Sequence, residues 1–144
     1  GLTGSMDAEG RELHKRAVAK ADSIAANYEA RDFSKVMTDI RDLADQANQY
    51  FDAKAPWTLV KIDPEAARQV MTSVLNVFRV LAIYLQPVLP SFALKTSRLF
   101  NEDAYTWEAL GSTVENKRIN VYEYLATRFE QSAIDTMIDA SRLT

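Results

Sequence analysis

Apolar side chains recur at helical spacing along most of this chain. A first helix is predicted from Asp7 to Ala30, with one apolar face. That face contains Leu13, Ala17, Ala21, Ile24 and Tyr28. A second helix is predicted from Phe33 to about Ala53, with a similar stripe and with Asp32 as its N-cap. Because so short a connection joins them, the two helices are expected to be antiparallel neighbours.

Prolines define the next boundaries. Pro56 should end the second helix, because the residue before a proline is pushed out of the α region. Trp57–Ile62 is therefore expected to be an extended or irregular link. Asp63 and Pro64 suit the N-cap and first position of a third helix, which should continue to about Gln86. This helix is apolar nearly all round, which is typical of the buried centre of a bundle.

The remaining pattern completes an all-α bundle of about five helices. After a bend at Pro87 and Pro90, the predicted segments are a fourth helix at about Ser91–Phe100, a loop at Asn101–Ser112 with a helical turn at Trp107–Leu110, an irregular stretch at Thr113–Tyr124 and a closing helix at Glu130–Leu143. Trp107 is expected to anchor its loop against the bundle. Residues 1–6 are interpreted as a tag or a truncated native segment, and residues 7–144 as one domain.

Composition narrows the class of protein. The 144 residues are 47% apolar and 26% charged, which suits one globular domain with a proper core. Cysteine is absent, which excludes a disulfide framework and fits a cytoplasmic location. The longest apolar run, Val74–Leu85, is interrupted by Asn76 and Arg79, so no membrane partner is expected. A net charge of −3 excludes nucleic-acid binding that depends mainly on phosphate contacts.

Few residues could carry catalysis. The single histidine, His14, is interpreted as a solvated residue on the first helix. A metal site would need carboxylates alone, and the aspartates of the second helix lack the Glu-x-x-His motif that carboxylate bundles use. Those acids are therefore interpreted as a solvated face. There is no glycine-rich phosphate loop, so neither a catalytic residue nor a metal ligand is assigned.

Trp57 is the most informative residue, because it follows a helix end directly. It could pack into the core behind Pro56. Alternatively, it could serve as a stacking platform for an unpaired base, with Lys54 and Lys61 close enough to meet phosphates. The pattern of residues alone leaves both interpretations open.

Several motifs resemble one family, the anticodon-binding helical domain of methionyl-tRNA synthetases. The resemblance covers nearly the whole chain. The matching motifs are Asn48-x-Tyr50-x-x-x-x-Ala55-Pro56-Trp57, Phe78-Arg-Val-Leu, Tyr84-Leu-Gln-Pro87-Val-Leu-Pro90 and Trp107-Glu-Ala-Leu. Related class I synthetases share the bundle but keep these motifs less closely.

The resemblance implies a tRNA-binding site around the proline corner. Trp57 would contact the first base of the CAU anticodon of tRNA(Met), with Pro56 shaping the corner. Asn48, Asp45, Asp52 and Lys54 would form or adjoin the tRNA-binding surface, where the acids would repel poorly registered nucleic acid.

The resemblance also implies that the chemistry lies in another part of the parent enzyme. The family's adenylation site needs a His-Ile-Gly-His stretch and a Lys-Met-Ser-Lys-Ser loop, and its zinc-binding insert needs cysteines; none occurs here. We therefore expect a fragment without a cofactor of its own, whose parent catalytic domain holds ATP and zinc. A helical protein–protein interaction module without a nucleic-acid role is the alternative.

Overall fold

Six α-helices and one 3₁₀ helix make up most of residues 3–119, the part of the chain that the computed structural model describes. In chain order they are α1 (Ala8–Val18), α2 (Ala21–Glu29), α3 (Phe33–Lys54), α4 (Pro56–Leu59), α5 (Pro64–Leu85), α6 (Pro90–Leu99) and the 3₁₀ helix at Trp107–Gly111. These residues form no β-strand, which confirms the all-α prediction. The predicted closing helix at Glu130–Leu143 lies outside the described residues.

The helix α5 is the centre of the bundle. It contacts α1, α3, α4, α6 and the 3₁₀ helix, and every residue from Thr72 to Leu85 is buried. Its start is as predicted, because the side chain of Asp63 accepts a hydrogen bond from the Ala66 N–H and Pro64 occupies the first turn. The sequence-based prediction of a buried central helix is confirmed.

The helix predicted over Asp7–Ala30 is instead two helices, α1 and α2, separated at Ala19 and Lys20. The hydroxyl of Tyr84 donates to the carbonyl oxygens of Ala17 and Val18. A side chain that takes over carbonyls of the α-helical hydrogen-bond ladder breaks or bends the helix. The break is therefore caused by a residue of α5, which the local pattern does not contain.

The predicted second helix agrees with α3. Asp32 caps it, accepting a hydrogen bond from the Lys35 N–H at 3.2 Å. The connection to α2 turns tightly at Arg31, whose φ is +59°, and α2 packs against α3 as predicted.

Two polar side chains of α5 hold the segment after α6. The Asn76 amide donates to the Val114 carbonyl at 3.0 Å, and its oxygen accepts from the Val114 N–H at 2.7 Å. Arg79, which is 1% exposed, donates to both carboxylate oxygens of Glu102 and to the carbonyls of Ala109 and Ser112. The two residues that interrupt the apolar run are therefore buried anchors for a loop.

The loop predicted after the fourth helix carries its helical turn where expected. Trp107 begins the 3₁₀ helix, and its ring lies 5.2 Å from that of Tyr84. The predicted anchoring role of Trp107 is confirmed.

Residues 3–6 pack against the bundle. The Gly4 N–H donates to Thr72 Oγ1 at 2.9 Å, and the Thr3 N–H donates to the Lys117 carbonyl at 2.9 Å. Thr3 and Met6 are buried. That these residues belong to a tag or a truncated native segment stays a prediction, but four of them contribute to the packing.

Candidate nucleic-acid interface

The chain turns a sharp corner at Ala55. This residue has φ +46° and ψ +62°, in the left-handed region that a residue with a Cβ rarely adopts. Its N–H still donates to the Phe51 carbonyl at 3.0 Å, which completes α3. Pro56 then starts a new helical turn, since its fixed φ suits a first helical position.

The prediction of an extended or irregular link at Trp57–Ile62 is wrong in its first half. Trp57 to Leu59 belong to α4, and the N–H groups of Val60 and Ile62 continue the turn by donating to the carbonyls of Pro56 and Leu59. The left-handed Ala55 directs the chain into a second short helix instead of an extended segment.

The corner divides its side chains between core and surface. Pro56 is buried, whereas Trp57 is 55% exposed. The indole leans on the ring of Phe51, with centroids 5.5 Å apart and planes inclined by 52°. The structure therefore places Trp57 at the surface and excludes the interpretation of this residue as a core tryptophan.

An apolar groove opens beside Trp57. It has a volume of about 690 Å³ and lies between the end of α3, α4 and the first half of α5, with Thr3 and Ile119 also in its lining. The lining side chains include Phe51, Pro56, Trp57, Val60, Met71 and Arg68. Ile62, three residues after the end of α4, is 80% exposed. Exposed apolar residues gathered in this way are typical of a binding surface.

Three of the predicted site residues lie together on α3. Asp45, Asn48 and Asp52 follow one another at intervals of three and four residues, which places them on one side of the helix. Both aspartates are exposed, and Asn48 is half-buried. Of the three, Asn48 is the neighbour of Phe51 on the helix surface, because it lies three residues before it.

Lys54 lies three residues after Phe51 and is its neighbour on α3, but it points away from Asp45. It lies nine residues after Asp45, about two and a half helical turns, and therefore on the opposite side of α3. Its amine forms an ion pair with Glu9 of α1 at 2.9 Å. That Lys54 meets tRNA phosphate stays a prediction, and Glu9 would compete for the amine.

Two further cations follow the corner in the chain, and one of them lines the groove. Arg68 lines it and is exposed, with Glu65 as a loose partner at 3.6 Å, and Lys61 is exposed just after α4. Sequence reasoning did not single out Arg68, because its proximity to Trp57 depends on how α4 packs on α5.

Tyr50, the second residue of the Asn48–Trp57 motif, has a structural task. Its hydroxyl donates to Asp7 Oδ1 at 2.7 Å, and the same oxygen accepts from the Gly10 N–H at the start of α1. Burial raises the pKa of Tyr50 well above its usual range, so this hydroxyl keeps its proton. The motif thus joins the end of α3 to the start of α1.

The interpretation of His14 as a solvated residue is wrong, because only 9% of it is exposed. It lies four residues after Gly10 on the buried side of α1 and shares a cavity with Leu110, Gly111 and Thr113. Burial, followed by the positive charge of Arg79, lowers its pKa. The covering loop is nearly a hundred residues away in sequence, so periodicity alone misses it.

Two kinds of feature are absent from the described part of the chain. Within residues 3–119, no three side chains of His, Cys, Asp or Glu come together as a metal site would require. None of the helices described there is long and apolar enough to cross a membrane. The candidate interface therefore consists of an exposed indole, an apolar groove and a few charged side chains near that groove.

Known proteins similar to this chain are enzymes that act on tRNA, by their names. The family model for the anticodon binding domain of methionyl tRNA ligase matches residues 2–138. The chain is 51% identical to a methionine–tRNA ligase of Bdellovibrio bacteriovorus over 136 residues, which cover 94% of this chain and 20% of that protein. Identity is 44% with the ligase of Thiobacillus denitrificans, over 91% of this chain and 19% of that protein. For the ligase of Neisseria gonorrhoeae the identity is 38%, over 94% of this chain and 20% of that protein.

The matched region spans about a fifth of the length of these relatives. The match nevertheless extends over almost all of the present chain, including the corner with Trp57. The chain therefore belongs to the family of anticodon-binding domains of methionyl-tRNA ligase.

Proposed function

We propose that this chain binds the anticodon loop of tRNA(Met) by stacking the first base of the CAU anticodon on Trp57. The observation that carries the proposal is the 55% exposure of the indole at a well-defined corner. Base–aromatic stacking contributes roughly 1–3 kcal/mol per base. A protein with net charge −3 has to gain affinity from contacts of this kind.

The neighbouring acids contribute selectivity in this proposal. Asp45 and Asp52 are exposed on the last turns of α3, so a nucleic acid placed in the wrong register would bring phosphate against carboxylate, which is unfavourable. Asn48, on the same side, offers an amide that can both donate and accept hydrogen bonds with a base edge. Pro56, buried beneath the corner, keeps the backbone of Trp57 in place.

The chain would serve a longer enzyme. The relatives named methionine–tRNA ligase are about five times as long as the matched region. In the proposed parent, a separate domain attaches methionine to tRNA with ATP in the cytoplasm, and any zinc belongs to that domain too. The bundle holds the tRNA so that its acceptor end reaches that domain.

Replacing Trp57 in the parent enzyme tests the proposal. Trp57→Ala should lower kcat/KM for tRNA charging roughly five- to 150-fold, which corresponds to 1–3 kcal/mol. ATP–pyrophosphate exchange, which does not need tRNA, should stay within twofold of the wild-type rate.

Phe33→Ala is a matched control. Phe33 is another exposed aromatic residue, 45% exposed, at the opposite end of α3 and roughly 30 Å from the corner along that helix. It should charge tRNA normally. If the Trp57 and Phe33 variants had equal kcat/KM for tRNA charging, the stacking role would be refuted.

A protein contact is the second candidate for the same surface. Ile62, 80% exposed, and the apolar groove would also suit an apolar partner. In that case Trp57→Ala would weaken the partner's binding and leave tRNA charging unchanged, so the same variant separates the two functions.

A further inference from the structure

The ring of Phe51 packs against the indole of Trp57. This ring is half-buried and packs against the main core, and it contacts the indole at a centroid distance of 5.5 Å. The Phe51 carbonyl accepts the Ala55 N–H. Both the side chain and the backbone of Phe51 therefore fix the corner that presents Trp57.

We infer that Phe51 is a positioning residue for base recognition: it holds the indole in one orientation and leaves the opposite side of the ring free. This inference rests on the proposed function. An exposed tryptophan on a four-residue helix has several staggered rotamers within reach. Contact with Phe51 limits them before tRNA arrives, so less conformational freedom is lost on binding.

The ring of Phe51 matters here, as well as its volume. The planes of the two rings are inclined by 52°, a tilted geometry that aromatic pairs favour. Leucine would fill much of the same space against Met71 and the rest of the groove without that directional contact. Phe51→Leu therefore separates orientation from packing, and Phe51→Tyr keeps the ring.

Fluorine NMR of the chain labelled with 5-fluorotryptophan reads the orientation without tRNA. The chain has two tryptophans, and Trp107, packed against Tyr84, reports whether the fold is intact. In Phe51→Leu and Phe51→Ala the Trp57 resonance should shift and sharpen as the indole gains mobility. The Trp107 resonance should not move, and Phe51→Tyr should restore the broader Trp57 resonance.

Kinetics of the parent enzyme read the consequence for tRNA. Phe51→Ala should raise KM for tRNA about two- to tenfold, the range expected when one side chain must be ordered on binding, with kcat within twofold of wild type. KM for tRNA of Phe51→Leu should lie between those of the wild-type enzyme and Phe51→Ala, and KM of Phe51→Tyr should be close to the wild-type value. Val74→Ala, a truncation of a fully buried residue of α5, controls for stability and should leave KM unchanged.

The outcomes separate the inference from the proposed function. If Trp57→Ala charges tRNA normally, the proposed function fails, while the Trp57 resonance still shows whether Phe51 orders the indole. If Trp57→Ala impairs charging but the Phe51 variants change neither the resonance nor KM, the positioning role is overturned. A KM that rises equally in Phe51→Leu and Val74→Ala would also overturn it, because the effect would then be one of stability.

Discussion

At the residue scale, the motif from Asn48 to Trp57 combines packing with presentation. Tyr50 and Pro56 face inward, Trp57 faces outward, and Ala55 makes the change of direction through its left-handed backbone. The motif marked this corner in the sequence. It did not show which side chains would be buried, since that depends on the conformation of Ala55.

Ala55 is expected to carry backbone strain. Because glycine adopts positive φ freely, Ala55→Gly should raise the free energy of unfolding by up to about 1 kcal/mol. Ala55→Val places a β-branched residue in the same region and should lower it by about 1–3 kcal/mol. Urea denaturation of the three proteins measures both changes. Equal stability of the glycine and valine variants would show that the left-handed conformation is not retained in solution.

His14 should make stability depend on pH. Its pKa is lowered in the folded chain, chiefly by burial, so the unfolded chain takes up the proton first as the pH falls. The contribution of neutral His14 to the free energy of unfolding is fully present above its ordinary pKa of 6.5. It is lost progressively below that value.

Comparing the wild-type chain with His14→Gln isolates this contribution. The free energy of unfolding of the wild-type chain should decrease as the pH is lowered from about 7.5 to 5.5. That of the glutamine variant should decrease less over the same interval. Glu115, whose pKa is lowered from 4.5, titrates below this window. If the free energy of unfolding changed equally with pH in the two proteins, the buried position of His14 would be contradicted.

At the element scale, local signals predicted the helices and distant side chains modified them. Asp32 and Asp63 cap α3 and α5 as their positions in the sequence indicated. Tyr84 divides the first helix, and Arg79 fixes the loop after α6. Neither effect is visible in periodicity, because the donor and its acceptors are distant in sequence.

The contact between α1 and α5 depends on Gly10. A Cβ on this residue would lie 2.0 Å from Ser73 Oγ and 2.4 Å from Ser73 Cβ. Gly10→Ala should therefore lower the free energy of unfolding by about 1–3 kcal/mol, although alanine is the better helix former at exposed sites. Gly111→Ala is the control, since its Cβ would meet nothing within 4 Å, and it should change stability by less than about 0.5 kcal/mol. Thermal unfolding of both variants measures the difference, and equal melting temperatures would contradict the close packing.

At the scale of the whole molecule, the candidate site occupies one end of the bundle. The sequence located the corner through a proline, a tryptophan and a family motif. It missed Phe51 as the support of Trp57 and Arg68 as a wall of the groove, since both roles arise when α4 packs against α3 and α5. Its prediction that Lys54 meets tRNA stays a prediction, and in the folded chain the amine of Lys54 forms an ion pair with Glu9.

The most direct measurement is a double-mutant cycle between Trp57 and the first anticodon base. Charging of tRNA(Met) and of a transcript with that base replaced is compared in the wild-type parent enzyme and in Trp57→Ala. If the indole stacks on this base, replacing the base should cost the wild-type enzyme far more in kcat/KM than it costs the variant, by roughly five- to 150-fold. Equal losses in both enzymes would mean that Trp57 and the first base act independently, and would contradict the proposed contact.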